Sequence, residues 1–154
     1  MSDSEAEKDK NVSDIAVRTN EEWRKVLPGD VYHIGFEKGT ERPFTGKYNT
    51  HFEDGTYYCA VCGSPLFRSD AKFESSCGWP SFFDPITKVS ILYTPDNAYG
   101  MRRTEVQCGT CKAHLGHVFE DGPKPTGLRY CINSLVLDFK NAEKKAEENR
   151  EKEL

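Results

Sequence analysis

The sequence of 154 residues lacks any long apolar run. No stretch approaches the roughly 18–20 consecutive apolar residues that a membrane-spanning helix needs. Residues 1–20 also lack the apolar segment of a secretory signal peptide. We therefore expect one domain with no membrane partner, located in the cytoplasm and monomeric by default.

The sequence has little excess charge of either sign. It carries 21 basic and 25 acidic residues, a net charge of −4, and residues 15–139 alone have a net charge of −1. A nearly neutral body creates no strong field that would attract phosphates. Nothing in the charge distribution therefore predicts binding to a nucleic acid.

Cysteine is too sparse for a small disulfide scaffold. The six cysteines make up about 4% of the chain, whereas such scaffolds typically exceed roughly 8–10%. Without a signal peptide, metal binding or redox catalysis is a better interpretation than structural disulfides.

The N-terminal part divides into a tail and two short helices. Residues 1–16 are acidic and free of aromatic residues, which predicts a disordered tail. Thr19 and Glu22 have the spacing of a capping box, and Pro28 and Gly29 would end the helix that follows. Asp30 is the predicted cap of the second helix.

The remaining body favours short β-strands. Aromatic and β-branched runs alternate with Gly, Pro, Asn and Asp, a pattern typical of all-β domains. The predicted strands are 56–59, 66–67, 72–74, 81–83, 89–93, 101–107, 114–119 and 128–139. We assign the domain to residues 17–139 and interpret residues 140–154 as a charged tail.

Two Cys-x-x-Cys pairs predict a zinc site. Cys59 and Cys62 form the first pair, and Cys108 and Cys111 form the second. Two such turns supply the four thiolates of a closed, structural zinc site. Ordinary buried cysteines and a redox dithiol are the alternatives, although neither pair precedes the helical pattern of a thioredoxin-type motif.

The fifth cysteine, Cys131, lies in a strand pattern between two polar residues. Side chains alternate along a strand, so Arg129, Cys131 and Asn133 should share one face. A neighbouring cation lowers a thiol pKa and makes thiolate abundant at neutral pH. A buried strand cysteine beside a surface arginine is the alternative interpretation.

Two further segments carry residue types suited to catalysis. His114 and His117 directly follow the second cysteine pair, and Asp121 could orient one of their rings. Core imidazoles or zinc ligands are the alternatives for these histidines. Cys77 precedes a glycine, and the nearby Trp79 offers a rigid apolar wall or a core side chain.

These motifs together resemble those of the B-type methionine sulfoxide reductases, which act on the R epimer at sulfur. The resemblance covers roughly residues 20–139. Besides the two cysteine pairs, it rests on CGWPSF at 77–82, HLGHVFEDGP at 114–123 and GLRYCINS at 127–134.

The resemblance implies a fold, a reaction and a set of roles. The fold would be mainly β, with two antiparallel sheets and short N-terminal helices, stapled by one structural Zn²⁺. Cys131 would be the nucleophile and Cys77 the resolving cysteine, with their disulfide reduced by thioredoxin. Trp79 would hold the substrate methyl group. The sulfoxide oxygen would be surrounded by His114, His117, Asp121, Arg129 and Asn133.

Two residues depart from the family pattern. Ser76 and Lys112 stand where glycine is common, and a side chain costs about 1 kcal/mol wherever the backbone needs a positive φ.

Two other functions remain open. A zinc-ribbon binding module would leave Cys131 unreactive. A Cys-His hydrolase would use Cys131 and His117 but gives no role to Cys77.

Overall fold

The computed structural model describes residues 19–142. The predicted tail at 1–16 and most of the one at 140–154 lie outside these residues. No helix in the described part of the chain is long and apolar enough to cross a membrane.

Two short helices open the described chain. Helix α1 spans Asn20–Val26, and its capping box is confirmed: Thr19 Oγ1 accepts from the Glu22 amide at 3.2 Å, while Glu22 Oε1 accepts from the Thr19 amide at 3.0 Å. Helix α2 spans Gly29–Glu37.

The predicted cap of α2 was wrong. Pro28, not Asp30, is the N-cap, because the Pro28 carbonyl already accepts from the Tyr32 amide at 3.0 Å. Asp30 therefore lies inside the first turn, where its carboxylate accepts from the adjacent Val31 amide.

Within residues 19–142, nine strands form two antiparallel sheets, which confirms the expected fold class. The strands are β1 Gly55–Cys59, β2 Pro65–Arg68, β3 Lys72–Phe73, β4 Ser81–Phe82, β5 Ile91–Asp96, β6 Arg103–Cys108, β7 His114–Phe119, β8 Arg129–Ile132 and β9 Leu137–Asn141. The three-stranded sheet has the order β2-β1-β9, and the six-stranded sheet has the order β3-β4-β8-β7-β6-β5.

Aromatic side chains from both sheets pack against one another. Phe67 of β2 stacks on Phe82 of β4 with ring centroids 4.3 Å apart, and Tyr57 of β1 meets Phe82 edge-on at 5.2 Å. All three side chains are fully buried. The hydrophobic core therefore joins the two sheets, and β8 reaches it through Tyr130.

The prediction of one strand over residues 128–139 was wrong. This run forms β8, then a 3₁₀ turn at Ser134–Val136, then β9 in the other sheet. Asn133 fixes the crossing, because its side chain bonds the Leu115 carbonyl and the Glu41 amide. Strand β9 continues to Asn141, two residues beyond the predicted end of the domain.

Strand β5 lies at the free edge of the six-stranded sheet and runs past Pro95 to Asp96, farther than predicted. A proline is tolerated there because an edge strand has one side without ladder hydrogen bonds. The added length carries Asp96 into the site described below.

Candidate active site and metal centre

Two similar turns carry the four paired cysteines. Cys59 ends β1 and its amide donates to the Ser64 carbonyl at 2.8 Å, while Cys108 ends β6 and its amide donates to the Ala113 carbonyl at 2.9 Å. Because β1 and β6 belong to different sheets, the turns bring the two sheets together at this end of the molecule.

The four sulfurs converge on one point. Cys59 Sγ lies 3.7 Å from Cys111 Sγ, Cys62 Sγ lies 3.5 Å from Cys108 Sγ, and all four lie within 4.8 Å of one another. A tetrahedral zinc with Zn–S bonds of about 2.3 Å needs sulfurs about 3.8 Å apart. Mutual hydrogen bonds raise the pKa of Cys59 and lower that of Cys62. The cluster could therefore hold a metal ion with no open coordination position.

A second site lies where β8 runs between β4 and β7. The strand registers set Cys131 opposite Ser81 on one side and opposite His117 on the other. A cavity of about 270 Å³ opens there. Its lining residues are Thr40, Cys77, Trp79, Arg103, Gly116, His117, Phe119, Arg129, Cys131 and Asn133.

The remaining two cysteines meet in this cavity. Cys77 Sγ lies 3.1 Å from Cys131 Sγ, and Arg129 Nη1 lies 2.6 Å from Cys131 Sγ. A disulfide, with an S–S bond of about 2.05 Å, needs only about 1 Å of closure. The arrangement can therefore alternate between a dithiol and a disulfide beside a cation.

The two thiols titrate as a pair. Their hydrogen bond stabilises a single thiolate within the pair, so the first deprotonation has a pKa below the ordinary thiol range and the second has a pKa above it. Burial of Cys131 opposes its ionisation, and the Arg129 guanidinium favours it. Because the guanidinium of Arg129 contacts Cys131, we assign the negative charge to that sulfur.

Asp121 holds Arg129 and does not orient a histidine ring. Its two oxygens accept from Arg129 Nε at 2.7 Å and Nη2 at 3.0 Å, and this pairing lowers the pKa of the carboxyl. The bidentate contact fixes the plane of the guanidinium. The ring of Phe119 also packs against the guanidinium, whose carbon lies 4.5 Å from the ring centroid.

Two carboxylates that the sequence analysis missed hold the histidines. His117, which lines the cavity, bonds Asp96 Oδ2 through Nε2 at 2.8 Å. His114 is buried behind it and bonds Glu105 Oε2 through Nδ1 at 2.7 Å, with the two imidazole centroids 5.5 Å apart. Burial lowers the pKa of His114, and Glu105 opposes that shift. Only His117 of this pair lines the cavity.

Trp79 and Asn133 are both fixed by the same neighbouring residue. Trp79 Nε1 donates to the Glu41 carbonyl at 3.1 Å, and Asn133 Oδ1 accepts from the Glu41 amide at 2.9 Å. The indole ring and Phe119 give the cavity its aromatic walls. Asn133 also donates from Nδ2 to the Leu115 carbonyl, so it lines the cavity while it supports the backbone.

Comparisons with known proteins cover the residues of both the cysteine cluster and the cavity. A family model for the SelR domain matches residues 27–141. The peptide methionine sulfoxide reductase MsrB of Pseudomonas putida (strain W619) is 59% identical over 123 residues, which cover 80% of this chain and 92% of that protein. The MsrB of Methanosarcina barkeri (strain Fusaro / DSM 804) is 55% identical over 126 residues, which cover 82% of this chain and 89% of that protein.

The chain belongs to the SelR-domain family. This membership confirms the resemblance found in the sequence. Backbone angles show whether Lys112 and Ser76, the two departures from the family pattern, are strained. Lys112 does adopt a positive φ of 66°, and Gly63 at the matching place after the first cysteine pair has a φ of 81°. Ser76 is not among the described residues with positive φ. A serine at this position therefore causes no backbone strain of this kind.

Replacing Gly63 with alanine should lower the free energy of unfolding of the metal-loaded SelR domain by about 1 kcal/mol, because the left-handed backbone disfavours a Cβ. No atom lies within 4 Å of the added Cβ, so the cost is conformational only. Lys112→Ala is the matched control and should be neutral, since that position already carries a Cβ. Denaturant unfolding measures both, and an equal loss in the two variants would contradict this interpretation.

Replacing Arg129 with methionine should raise the apparent pKa of the thiol pair by about 1 to 2 pH units, because one charge-assisted contact to the thiolate is lost. The midpoint of the pH profile for alkylation by iodoacetamide should move to higher pH by the same amount, and the rate should recover above that midpoint. Arg102→Met, which removes an exposed arginine, is the control. Identical pH profiles for the Arg129 variant and the unmodified protein would show that Arg129 does not stabilise the thiolate.

Proposed function

We propose that this protein reduces the R epimer of methionine sulfoxide, in proteins or as the free amino acid, to methionine. The observation that carries the proposal is the 3.1 Å approach of Cys77 and Cys131, with the Arg129 guanidinium on the Cys131 sulfur. The names of the relatives point to the same substrate. A hydrolase would leave Cys77 without a role, so this geometry favours the reductase.

The first step is an attack by the Cys131 thiolate on the sulfoxide sulfur. The sulfoxide oxygen must be protonated as the attack proceeds, and His117 is the proton donor because it lines the cavity while His114 lies behind it. The protonated oxygen then passes to the Cys131 sulfur, and its bond to the substrate sulfur and the new sulfur–sulfur bond both break. Methionine leaves, and Cys131 becomes a sulfenic acid, which is the first and reversible oxidation state of a cysteine.

The second step closes a disulfide. Cys77 attacks the sulfenic sulfur, the sulfur–oxygen bond breaks, and the oxygen leaves as water. Ser81 Oγ lies 3.2 Å from Cys77 Sγ and helps to hold that sulfur in position. An external dithiol such as thioredoxin then reduces the Cys77–Cys131 disulfide by exchange.

Separate apolar and polar walls would select the epimer. Trp79 and Phe119 would receive the substrate methyl group, while His117 and Arg129 would face the oxygen. Burial of one methyl group contributes only about 0.8 kcal/mol. Affinity for free methionine sulfoxide should therefore be weak, and exposed oxidised methionines in proteins should be better substrates.

The direct test uses separated R and S epimers of a blocked methionine sulfoxide with dithiothreitol as the reductant. We expect consumption of the R epimer alone. In the S epimer the methyl group and the oxygen exchange positions, so each would face the wrong wall of the cavity. Chromatography of the remaining sulfoxide measures both epimers. No turnover of either epimer in metal-loaded protein would contradict the proposal.

Two cysteine variants separate the chemical steps. Cys131→Ser should abolish even single-turnover reduction, because the nucleophile is lost. Cys77→Ser should form about one methionine per chain and then stop when thioredoxin is the reductant, because no disulfide forms. Rapid-quench measurement of methionine distinguishes these results. Full thioredoxin-driven turnover by Cys77→Ser would remove the resolving role from Cys77.

We also propose that the four clustered cysteines hold one Zn²⁺. Their sulfur spacing fits tetrahedral zinc, and Ser64 and Thr110 connect the two turns through a hydroxyl hydrogen bond of 2.9 Å. A four-sulfur shell leaves no position for substrate, so the ion would stabilise the fold and take no part in the reaction.

Cys62→Ser should reduce bound zinc from about one equivalent towards zero and lower the thermal midpoint, because a structural zinc contributes roughly 10–16 kcal/mol of binding free energy. Cys62 is the most suitable ligand to change, since it is only half-buried and its loss disturbs packing least. Ser64→Ala should keep the metal. Elemental analysis and thermal unfolding measure both variants. If wild-type protein stripped of zinc had the same thermal midpoint as zinc-loaded protein, the assignment would be wrong.

A further inference from the structure

An exposed aromatic side chain is held in a strained backbone conformation next to the Cys77 segment. Phe44 has a φ of 68°, and its side chain is 66% exposed. Bulky residues rarely adopt this conformation, and such strained residues cluster at functional sites. Because the ring is mostly outside the core, packing does little to offset the strain.

Specific contacts fix Phe44 to the residue after Cys77. The Phe44 amide donates to the Gly78 carbonyl at 2.7 Å. A Cβ added at Gly78 would lie 2.7 Å from Pro43 Cβ and 3.2 Å from Phe44 Cε2, so the two segments touch. Thr45 donates to the Arg42 carbonyl and closes the turn that presents Pro43 and Phe44 to solvent.

The role of this surface rests on the proposed function, in which an external dithiol must open the Cys77–Cys131 disulfide. Cys77 is half-buried, whereas Cys131 is 9% exposed, so the entering thiolate reaches the Cys77 sulfur. The disulfide bond breaks, the entering sulfur bonds to Cys77, and Cys131 leaves as a thiolate beside the Arg129 guanidinium.

The second thiol of the reductant completes the exchange. It attacks its partner sulfur in the mixed disulfide, Cys77 is released and takes up a proton, and the reductant departs as a disulfide. A protein reductant must therefore seat its own surface around Cys77, where Pro43 and Phe44 already project.

We propose that Pro43 and Phe44 form the docking point for a protein dithiol that reduces the Cys77–Cys131 disulfide. Aromatic side chains are the usual anchors of such contacts. Phe44 does not line the cavity, so the ring lies outside the region assigned to the substrate side chain. A small dithiol needs no docking surface, which makes the two kinds of reductant experimentally separable.

Phe44→Ala tests the proposal in assays with thioredoxin and with dithiothreitol. We expect kcat/KM for thioredoxin to fall about tenfold, the effect of losing roughly 1.4 kcal/mol of binding. Turnover with dithiothreitol and the KM for the sulfoxide should not change. Phe52→Ala is the control, because Phe52 is also exposed but packs against Lys72, and it should behave as wild type.

Two more variants separate docking from folding. Phe44→Leu retains an apolar side chain and should restore most of the thioredoxin activity. Phe44→Gly should be at least as stable as Phe44→Ala, because glycine accepts the backbone conformation, yet it should show the same loss with thioredoxin.

Two results would overturn the proposal. The first is unchanged thioredoxin kinetics in Phe44→Ala. The second is a raised KM for an oxidised peptide in the dithiothreitol assay, which would assign this surface to the substrate. Failure of the reductase function itself is distinguishable, because wild-type protein would then show no turnover with dithiothreitol.

Discussion

The pairing of β8 with β4 and β7 is the constraint on which the site depends. It sets Cys131 opposite Ser81 and opposite His117, so the Cys131 sulfur lies among groups from three strands. Arg129 precedes Cys131 by two residues on the same strand, and period-two alternation aims both side chains into the same cavity. A shift of one residue in register would point Cys131 into the core and Tyr130 into the cavity.

The cysteine cluster and the candidate active site are connected through β7. This strand begins three residues after Cys111, and it carries both His114 and His117. A metal bound to the cluster would therefore anchor the start of β7 and hold β1 of one sheet close to β6 of the other. Polar contacts continue this support: Glu105 of β6 holds His114, and Asp96 of β5 holds His117. The imidazoles are thus positioned by neighbouring strands and not by their own strand alone.

Local patterns predicted much of this arrangement. Most strand positions followed from alternating runs and turn residues, the capping box at Thr19 was correct, and the cysteine spacing indicated the cluster. Alternation also placed Arg129 and Cys131 on one face.

The sequence could not reveal contacts that depend on strand register or on the points where the chain crosses from one sheet to the other. Asp96 and Glu105 reach the histidines only across strand pairs whose register no local pattern specifies. One feature of the sequence did point to Glu105, because it is a charged residue at an inward position of β6. The apolar pattern also continues through Asn133, although the chain crosses there to the other sheet, because both sheets bury similar residues. Nothing local marked Phe44 as strained.

In the proposed reaction, Cys131 and Cys77 form one redox pair. The most direct test treats the reduced protein with a stoichiometric amount of the R sulfoxide and no reductant, followed by non-reducing peptide mapping. We expect one methionine formed for each pair of thiols lost, a single disulfide linking the peptides of Cys77 and Cys131, and intact thiols after treatment with the S epimer. Methionine formation with both thiols retained, or a disulfide within the cysteine cluster in place of this one, would contradict it.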